Sequence, residues 1–271
     1  MTMASEWTDV AQGWGAHRDR VETMKAPLTA ELLRNLALRP GEHVLELGAG
    51  TGELAQVLAD AVAPGGRVLA TDVASGMVDL IRRTTADRPD ITVQEADATN
   101  TGLATASFDA VVFRMGLMFV PQPVEALREC RRVLRAGGRA SVAVWAGPGQ
   151  NPWLTSVGMS AMMQGLVQGG PPTGPGGIFS LGEPEHLSEL AREAGFLDVG
   201  VRRIPIVAHY DSAGQHYESV ESLAGPLHHA LVAATPDQQV AVRASAASLI
   251  EPYKVGDAYD VPGEALLLQA R

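Results

Sequence analysis

Val44-Leu45-Glu46-Leu47-Gly48-Ala49-Gly50-Thr51-Gly52 is the stretch on which the reading of this chain turns. An apolar run ends in three glycines at alternate positions. That spacing lets the backbone turn sharply from a strand into a helix and present bare peptide N–H groups to a ligand. Outward from it, two textures alternate between Leu36 and Ala146. His43 to Leu47, Arg67 to Asp72, Ile91 to Ala96, Phe108 to Arg114 and Arg139 to Trp145 read as buried parallel strands. Glu53 to Val62, Ser75 to Asp87 and Pro123 to Arg135 carry helical periodicity. Ser75 is the expected N-cap of the second helix, and Ala136-Gly137-Gly138 the expected stop of the third. The alternation predicts an α/β fold, a doubly wound parallel sheet with helices on both faces.

After Trp145 the texture changes. Gly147 to Gly182 concentrates glycine and proline, including GGPPTGPGG over Gly169 to Gly177, which predicts a loop. Before that loop, Pro152 to Leu166 predicts a short helix bearing Trp153, Met159, Met162 and Met163. Glu183 to Ala194 reads as helix, Phe196 to His209 as strand, Gln215 to Tyr253 as helical and Glu264 to Ala270 as a closing buried strand. One domain is expected over 1–271. It comprises a helical cap (1–39), a cofactor-binding core (40–146), a Gly/Pro-rich lid insertion (147–182) and C-terminal helices with closing strands (183–271).

Composition narrows the function classes. The 271 residues carry 21 basic and 31 acidic side chains, a net charge of −10, which argues against nucleic-acid or anionic-membrane binding. A single cysteine forms neither an internal disulfide nor a cysteine zinc cage, so no metal site is expected. No apolar run is long enough to span a membrane, and the first thirty residues hold no signal-peptide core. The expectation is a soluble cytoplasmic protein, with homodimerisation left open.

Three acids select the ligand. Asp72 ends the second strand twenty residues after Gly52, where a carboxylate accepts hydrogen bonds from ribose hydroxyls. Asp97 follows the third strand in Glu95-Ala96-Asp97-Ala98, placed to accept from an adenine amino group. Either aspartate alone also serves as a helix cap; together with the glycines they indicate an adenosine-bearing ligand. A dinucleotide fingerprint requires a third glycine where this chain has Glu53, and Glu46 repels a pyrophosphate. A cationic ligand without phosphate, S-adenosylmethionine, fits these charges better than NAD.

ELGAGTG, ATDVASGM, EADA, SFDAVVFRMGLMFVPQP and ECRRVLRAGGRASVAVW resemble the successive motifs of the class I S-adenosylmethionine-dependent methyltransferases. The resemblance covers roughly residues 40 to 146 and points to the small-molecule branch related to the ubiquinone/menaquinone biosynthesis enzymes. It implies a Rossmann-like sheet of seven mostly parallel strands with an antiparallel last strand, the place of Leu266 to Ala270, and helical lid insertions. It implies that Glu46, Gly48 and Gly50 hold the methionine part, Asp72 with Val73 the ribose, and Asp97 with Ala98 the adenine. Met77 would pack on the adenine face, and the Arg114 backbone would lie near the amino group. Trp7 and Trp14 in the N-terminal segment read equally as a clamp on the cofactor and as a pin of that segment to the core. After the fourth strand the chain has Met115-Gly116-Leu117-Met118-Phe119, where the quinone enzymes tend to place polar residues.

Methyl transfer needs an acceptor nucleophile held in line with the C–S bond, helped by a nearby base. His17 and His229 are the candidate bases among seven histidines, and either also reads as a solvated side chain. Met118, Phe119, Trp145 and Trp153 are the candidate acceptor pocket, which suits an apolar or aromatic small molecule such as a specialised metabolite. Phe119 and Trp145 read equally well as core. Cys130 reads as a packed helix residue, and Arg128, Arg131, Arg132 and Arg135 as a solvated helix face. Three rival readings stay open: the same fold and cofactor used for cyclisation or elimination, an NAD-dependent oxidoreductase, and a binding protein with a vestigial site.

Overall fold

The computed structural model describes residues 3–223 and 225–271. A long helix, α1 (Met3–Leu36), leads into the alternating half of the chain. There β1 (His43–Leu47), α2 (Glu53–Val62), β2 (Arg67–Asp72), α3 (Ser75–Thr84), β3 (Ile91–Glu95), β4 (Phe108–Arg114), α4 (Pro123–Val133) and β5 (Leu134–Trp145) follow in turn. The C-terminal half adds α5 (Pro152–Met163), α6 (Pro184–Glu193), β6 (Val199–Tyr210), α7 (Ala213–Leu223), α8 (Gly225–Val232), α9 (Pro236–Ile250), β7 (Lys254–Val255) and β8 (Ala258–Ala270). In α2 the apolar spacing buries Leu54, Ala55, Leu58, Ala59 and Val62 on one face.

The strands form one sheet in the order β3-β2-β1-β4-β5-β8-β6, with the short β7 paired to β8. The β1 to β5 pairings are parallel, and β8 runs antiparallel to both β5 and β6. This is the expected sheet with one small strand added. Strand order reverses between β1 and β4, and in such sheets the crevice outside the carboxyl ends at that point takes the ligand.

Four expected boundaries move, each for a reason visible in the hydrogen bonding. Ser75 is not the N-cap of α3. Ala74 holds that place without a side-chain cap, and its N–H donates to Asp72 Oδ1 at 3.0 Å. The helix then ends at Thr84, short of Asp87, where Thr85 Oγ1 closes the last turn on the Ile81 carbonyl at 2.8 Å. Ala136-Gly137-Gly138 does not stop α4 either. The Ser107 N–H reaches the Val133 carbonyl at 2.8 Å and Leu134 pairs with Phe108, so the chain enters β5 before the glycines. Gly137, at φ 77°, lies beside the register shift between Phe108 and Ala110. At the other end β6 begins at Val199, because the Phe196 N–H is spent on the Ala191 carbonyl at the end of α6.

The insertion after β5 is pinned by a residue that composition did not mark. Asn151 is fully buried, and its Nδ2 donates to the carbonyls of Ala146, Gly147 and Glu264 at 3.0, 3.2 and 3.1 Å. Its Oδ1 accepts from the Glu264 N–H at 3.0 Å and from Trp153 Nε1 at 3.2 Å. Residues 169–177 form neither helix nor strand, as the glycines and prolines require. Among the described residues no helix is long and apolar enough to cross a membrane, and no group of three or more His, Cys, Asp or Glu could hold a metal.

Candidate functional site

The turn after β1 stands at the carboxyl end of the sheet. Gly48 and Gly50 have φ of 59° and 60°, the left-handed region where a side chain is strained. A Cβ on Gly48 would come within 2.9 Å of Phe113 Cε2, whereas one on Gly50 would meet nothing within 4 Å. The backbone at Gly50 therefore borders open space. Asp72 ties this turn to the next, its Oδ2 accepting from the Gly50 N–H and its Oδ1 from the Ala74 N–H, both at 3.0 Å. Burial pushes its carboxyl up, while the Ala74, Gly50 and Val73 N–H groups oppose that.

Glu46, on β1, is only 2% exposed, and its Oε2 has no hydrogen-bond partner. Burial pushes its carboxyl up to about 8, with Arg114 and Lys25 pulling against the rise and Glu22 and Glu53 adding to it. A buried, unmatched carboxyl oxygen is costly, and it marks a place for a cation. Two cations are already buried beside it. Arg114 ends β4 and grips Glu22 of α1 at both carboxylate oxygens, at 2.7 and 2.8 Å, and also donates to Thr29 Oγ1 at 2.8 Å. Lys25 Nζ lies 2.8 Å from Glu22 Oε1. Burial and Arg114 bring Lys25 down to about 8; burial lifts Glu22, but the Lys25 and Arg114 charges outweigh it and hold it at about 2.

The N-terminal half of α1 lies along the start of α3. Ala11 packs with Ala74 and Met77, and Trp7 and Trp14 flank that contact. Trp7 sits edge-on to Phe119 with ring centres 4.8 Å apart and to Trp14 at 5.9 Å. Trp14 Nε1 donates to the Leu223 carbonyl at 3.2 Å, and Lys25 Nζ lies 5.9 Å from the Trp14 ring centre. Asp97 and Ala98 follow β3. Asp97 is exposed and closes a local turn by accepting from the Thr99 N–H and hydroxyl, both at 2.8 Å.

The four pocket candidates divide into two groups. Met118 is buried and Phe119 lies against Trp7. Trp145 and Trp153 are buried with ring centres 5.1 Å apart, and Trp153 also lines a narrow recess with Val21, Met24, Tyr210 and Leu223. His17 is half-buried on α1 with no polar partner among the described residues, and His229 is exposed on α8 beside His228. Burial pushes the Cys130 thiol up to about 12, which leaves it unreactive. Of the basic run, Arg128, Arg132 and Arg135 pair with Glu125, Glu129 and Asp109.

Sequence reasoning missed Glu22 and Lys25, which complete the charge cluster; an acid and a base three apart on a helix look like any surface pair. It also missed His216. That imidazole is fully buried, with Nε2 donating to the Trp153 carbonyl at 2.7 Å and Nδ1 left bare. Burial pushes it down, toward the neutral form.

The open backbone at Gly50, the unmatched Glu46 oxygen and the adjoining cations suit a nucleoside whose tail carries both signs of charge, as S-adenosylmethionine does. A family model described as a methyltransferase domain matches residues 45–142. A demethylmenaquinone methyltransferase of Beutenbergia cavernae is 43% identical over 118 residues, 44% of this chain and 45% of that enzyme. A demethylmenaquinone methyltransferase of Paenarthrobacter aurescens is 33% identical over 196 residues, 68% of this chain and 75% of that enzyme. The chain spans less than half the length of two of the curated relatives it matches, 45% of the Beutenbergia cavernae enzyme and 31% of another protein. The fold is similar to that of a SAM-dependent methyltransferase from Aquifex aeolicus, with a TM-score of 0.52, 19% identity, and 68% of this chain and 87% of that one covered.

Proposed function

This chain belongs to the class I S-adenosylmethionine-dependent methyltransferases, among relatives of the menaquinone and ubiquinone biosynthesis enzymes, and from that premise we propose that it methylates an apolar or aromatic small molecule. The observation that carries the reading is the buried Glu46 oxygen left without a partner beside the open Gly50 backbone. In this reading Glu46 accepts from the ligand ammonium, and the Gly48 and Gly50 backbone lies against the methionine part. Asp72, whose oxygens retain lone pairs beyond those facing Gly50 and Ala74, takes the ribose hydroxyls. Asp97 and the Ala98 N–H read the adenine edge, Met77 packs on its face, and Val73, the Arg114 backbone and Trp14 complete the enclosure. The cofactor supplies an electrophilic methyl; the chain supplies placement and exclusion of water. Met118, Phe119, Trp145 and Trp153 form the apolar surroundings of the acceptor.

Incubation with S-adenosylmethionine and a panel of phenols, naphthols and demethylated quinone precursors is expected to release S-adenosylhomocysteine with an apolar aromatic acceptor and not with polar ones. Release with none of them, despite tight binding of S-adenosylhomocysteine, would favour cyclisation or elimination chemistry instead. Trp153→Ala is expected to raise the acceptor KM about tenfold while changing S-adenosylhomocysteine affinity less than twofold, in keeping with loss of a large apolar contact. Equal losses for both ligands in calorimetric titration would remove Trp153 from the acceptor site.

A further inference from the structure

Glu22 makes a full set of contacts with both buried cations at the end of the sheet. Arg114 holds its two oxygens in a fork at 2.7 and 2.8 Å, and Lys25 reaches Oε1 at 2.8 Å. That geometry is the one a guanidinium and an ammonium offer any carboxylate. Glu22 is the single acceptor found for the three N–H donors of Lys25 among the described residues. Next to this satisfied pair stands Glu46, whose Oε2 has none. The cluster thus holds two cations occupied by a carboxylate from α1, and one carboxyl still lacking a cation. An α-amino acid group carries the two missing complements on neighbouring atoms, an ammonium for Glu46 and a carboxylate for Lys25 and Arg114.

We propose that Lys25 and Arg114 form the carboxylate-binding half of an amino-acid subsite, and that Glu22 is an internal carboxylate occupying it until the ligand's own carboxylate takes its place. The proposal rests on the methyltransferase reading above and deepens it. At the two cations one carboxylate leaves as another arrives, and at Glu46 the ligand ammonium takes the place of the proton that the buried carboxyl otherwise holds. Because Glu22 and Lys25 lie on α1, the same exchange loosens the grip of α1 on β4, while Ala11, Trp7 and Trp14 still hold α1 against Ala74 and Met77.

Two ligands separate the effects: S-adenosylhomocysteine, which has the amino-acid group, and 5′-methylthioadenosine, which lacks it. In calorimetric titrations Glu22→Gln is expected to bind S-adenosylhomocysteine about tenfold more tightly, although the protein melts at a lower temperature. Its affinity for 5′-methylthioadenosine is expected to stay within twofold of wild type. Lys25→Met is expected to lose about tenfold for S-adenosylhomocysteine with no change for 5′-methylthioadenosine, and Lys25→Arg to retain both affinities. Should Lys25→Met fail to fold, Lys25→Arg and Glu22→Gln carry the comparison. Weaker or unchanged S-adenosylhomocysteine binding by Glu22→Gln, or parallel changes for both ligands, overturns the proposal while leaving the methyltransferase reading intact. Failure of the wild-type protein to bind either ligand overturns both.

Discussion

Glu46→Gln is expected to be more stable than the wild-type protein at pH 8 and yet roughly 100-fold weaker for S-adenosylhomocysteine. The two effects share one cause. Burial lifts the Glu46 carboxyl from 4.5 in the unfolded chain to about 8 in the folded one. Between those values the native state holds a proton that the unfolded chain has released, so wild-type stability falls as pH rises through that window. At 1.36 kcal/mol per pH unit the loss reaches roughly 4 kcal/mol by pH 8. Glutamine, uncharged throughout, escapes it. Lys25 acts in the opposite sense and higher up: its folded value near 8 lies below 10.5, so its contribution grows as pH rises from 8 to 10.5. Thermal melts from pH 4.5 to 9 are expected to show a gap that opens toward pH 8 and reaches about 10 °C. For ligand binding the order reverses, because a hydrogen bond to a charged group contributes about 1.5–3 kcal/mol and glutamine offers no charge to an ammonium. Parallel melting profiles for the two proteins would falsify the buried, proton-holding Glu46.

The second large effect is expected at Asn151. Replacing it by alanine strands the Glu264 N–H and the Trp153 indole N–H and removes the Nδ2 donor from the Ala146 carbonyl, while the Gly147 and Glu264 carbonyls keep the Gln150 and Ala146 N–H groups. Buried groups left unmatched cost about 1–3 kcal/mol each, and partial relaxation brings the expected loss to roughly 4 kcal/mol. In a chain of this length that lowers the melting temperature by about 10 °C. Asn151→Asp is expected to be worse, since a carboxylate placed among three carbonyl oxygens repels all of them. A drop below about 3 °C for Asn151→Ala in calorimetry would mean that the β5–β8 junction does not depend on this side chain.

Both expectations rest on positions whose importance the chain shows unequally. Glu46 is legible because it interrupts an apolar strand just before the glycines, where a carboxylate has no packing reason to be. Asn151 is not legible: within a stretch rich in glycine and proline an asparagine looks like one more turn residue. The misplaced ends have similar explanations. Ser75 is a good cap by residue type, but the Asp72 carboxylate reaches the Ala74 N–H first. Gly137-Gly138 is a good helix stop by type, but pairing of Leu134 with Phe108 takes the chain into the sheet three residues earlier. At Ala74 a carboxylate two residues away, and at Leu134 a strand partner distant in sequence, outweighed a local propensity of about 1 kcal/mol.

Periodicity and spacing alone determined the strand-helix alternation over residues 43–145, the glycine turn after β1, and the line of acids at the ends of successive strands. Those features follow from side-chain type and chain geometry within a few residues, which a linear text carries in full. Only the tertiary structure decided that α1 would bring Glu22 and Lys25 against Arg114, that His216 would be buried under Trp153, and that Asn151 would join β5 to β8. Each of these depends on which surfaces meet when the sheet closes, and long-range burial sets the charge and hydrogen-bonding state of a group by its neighbours in space.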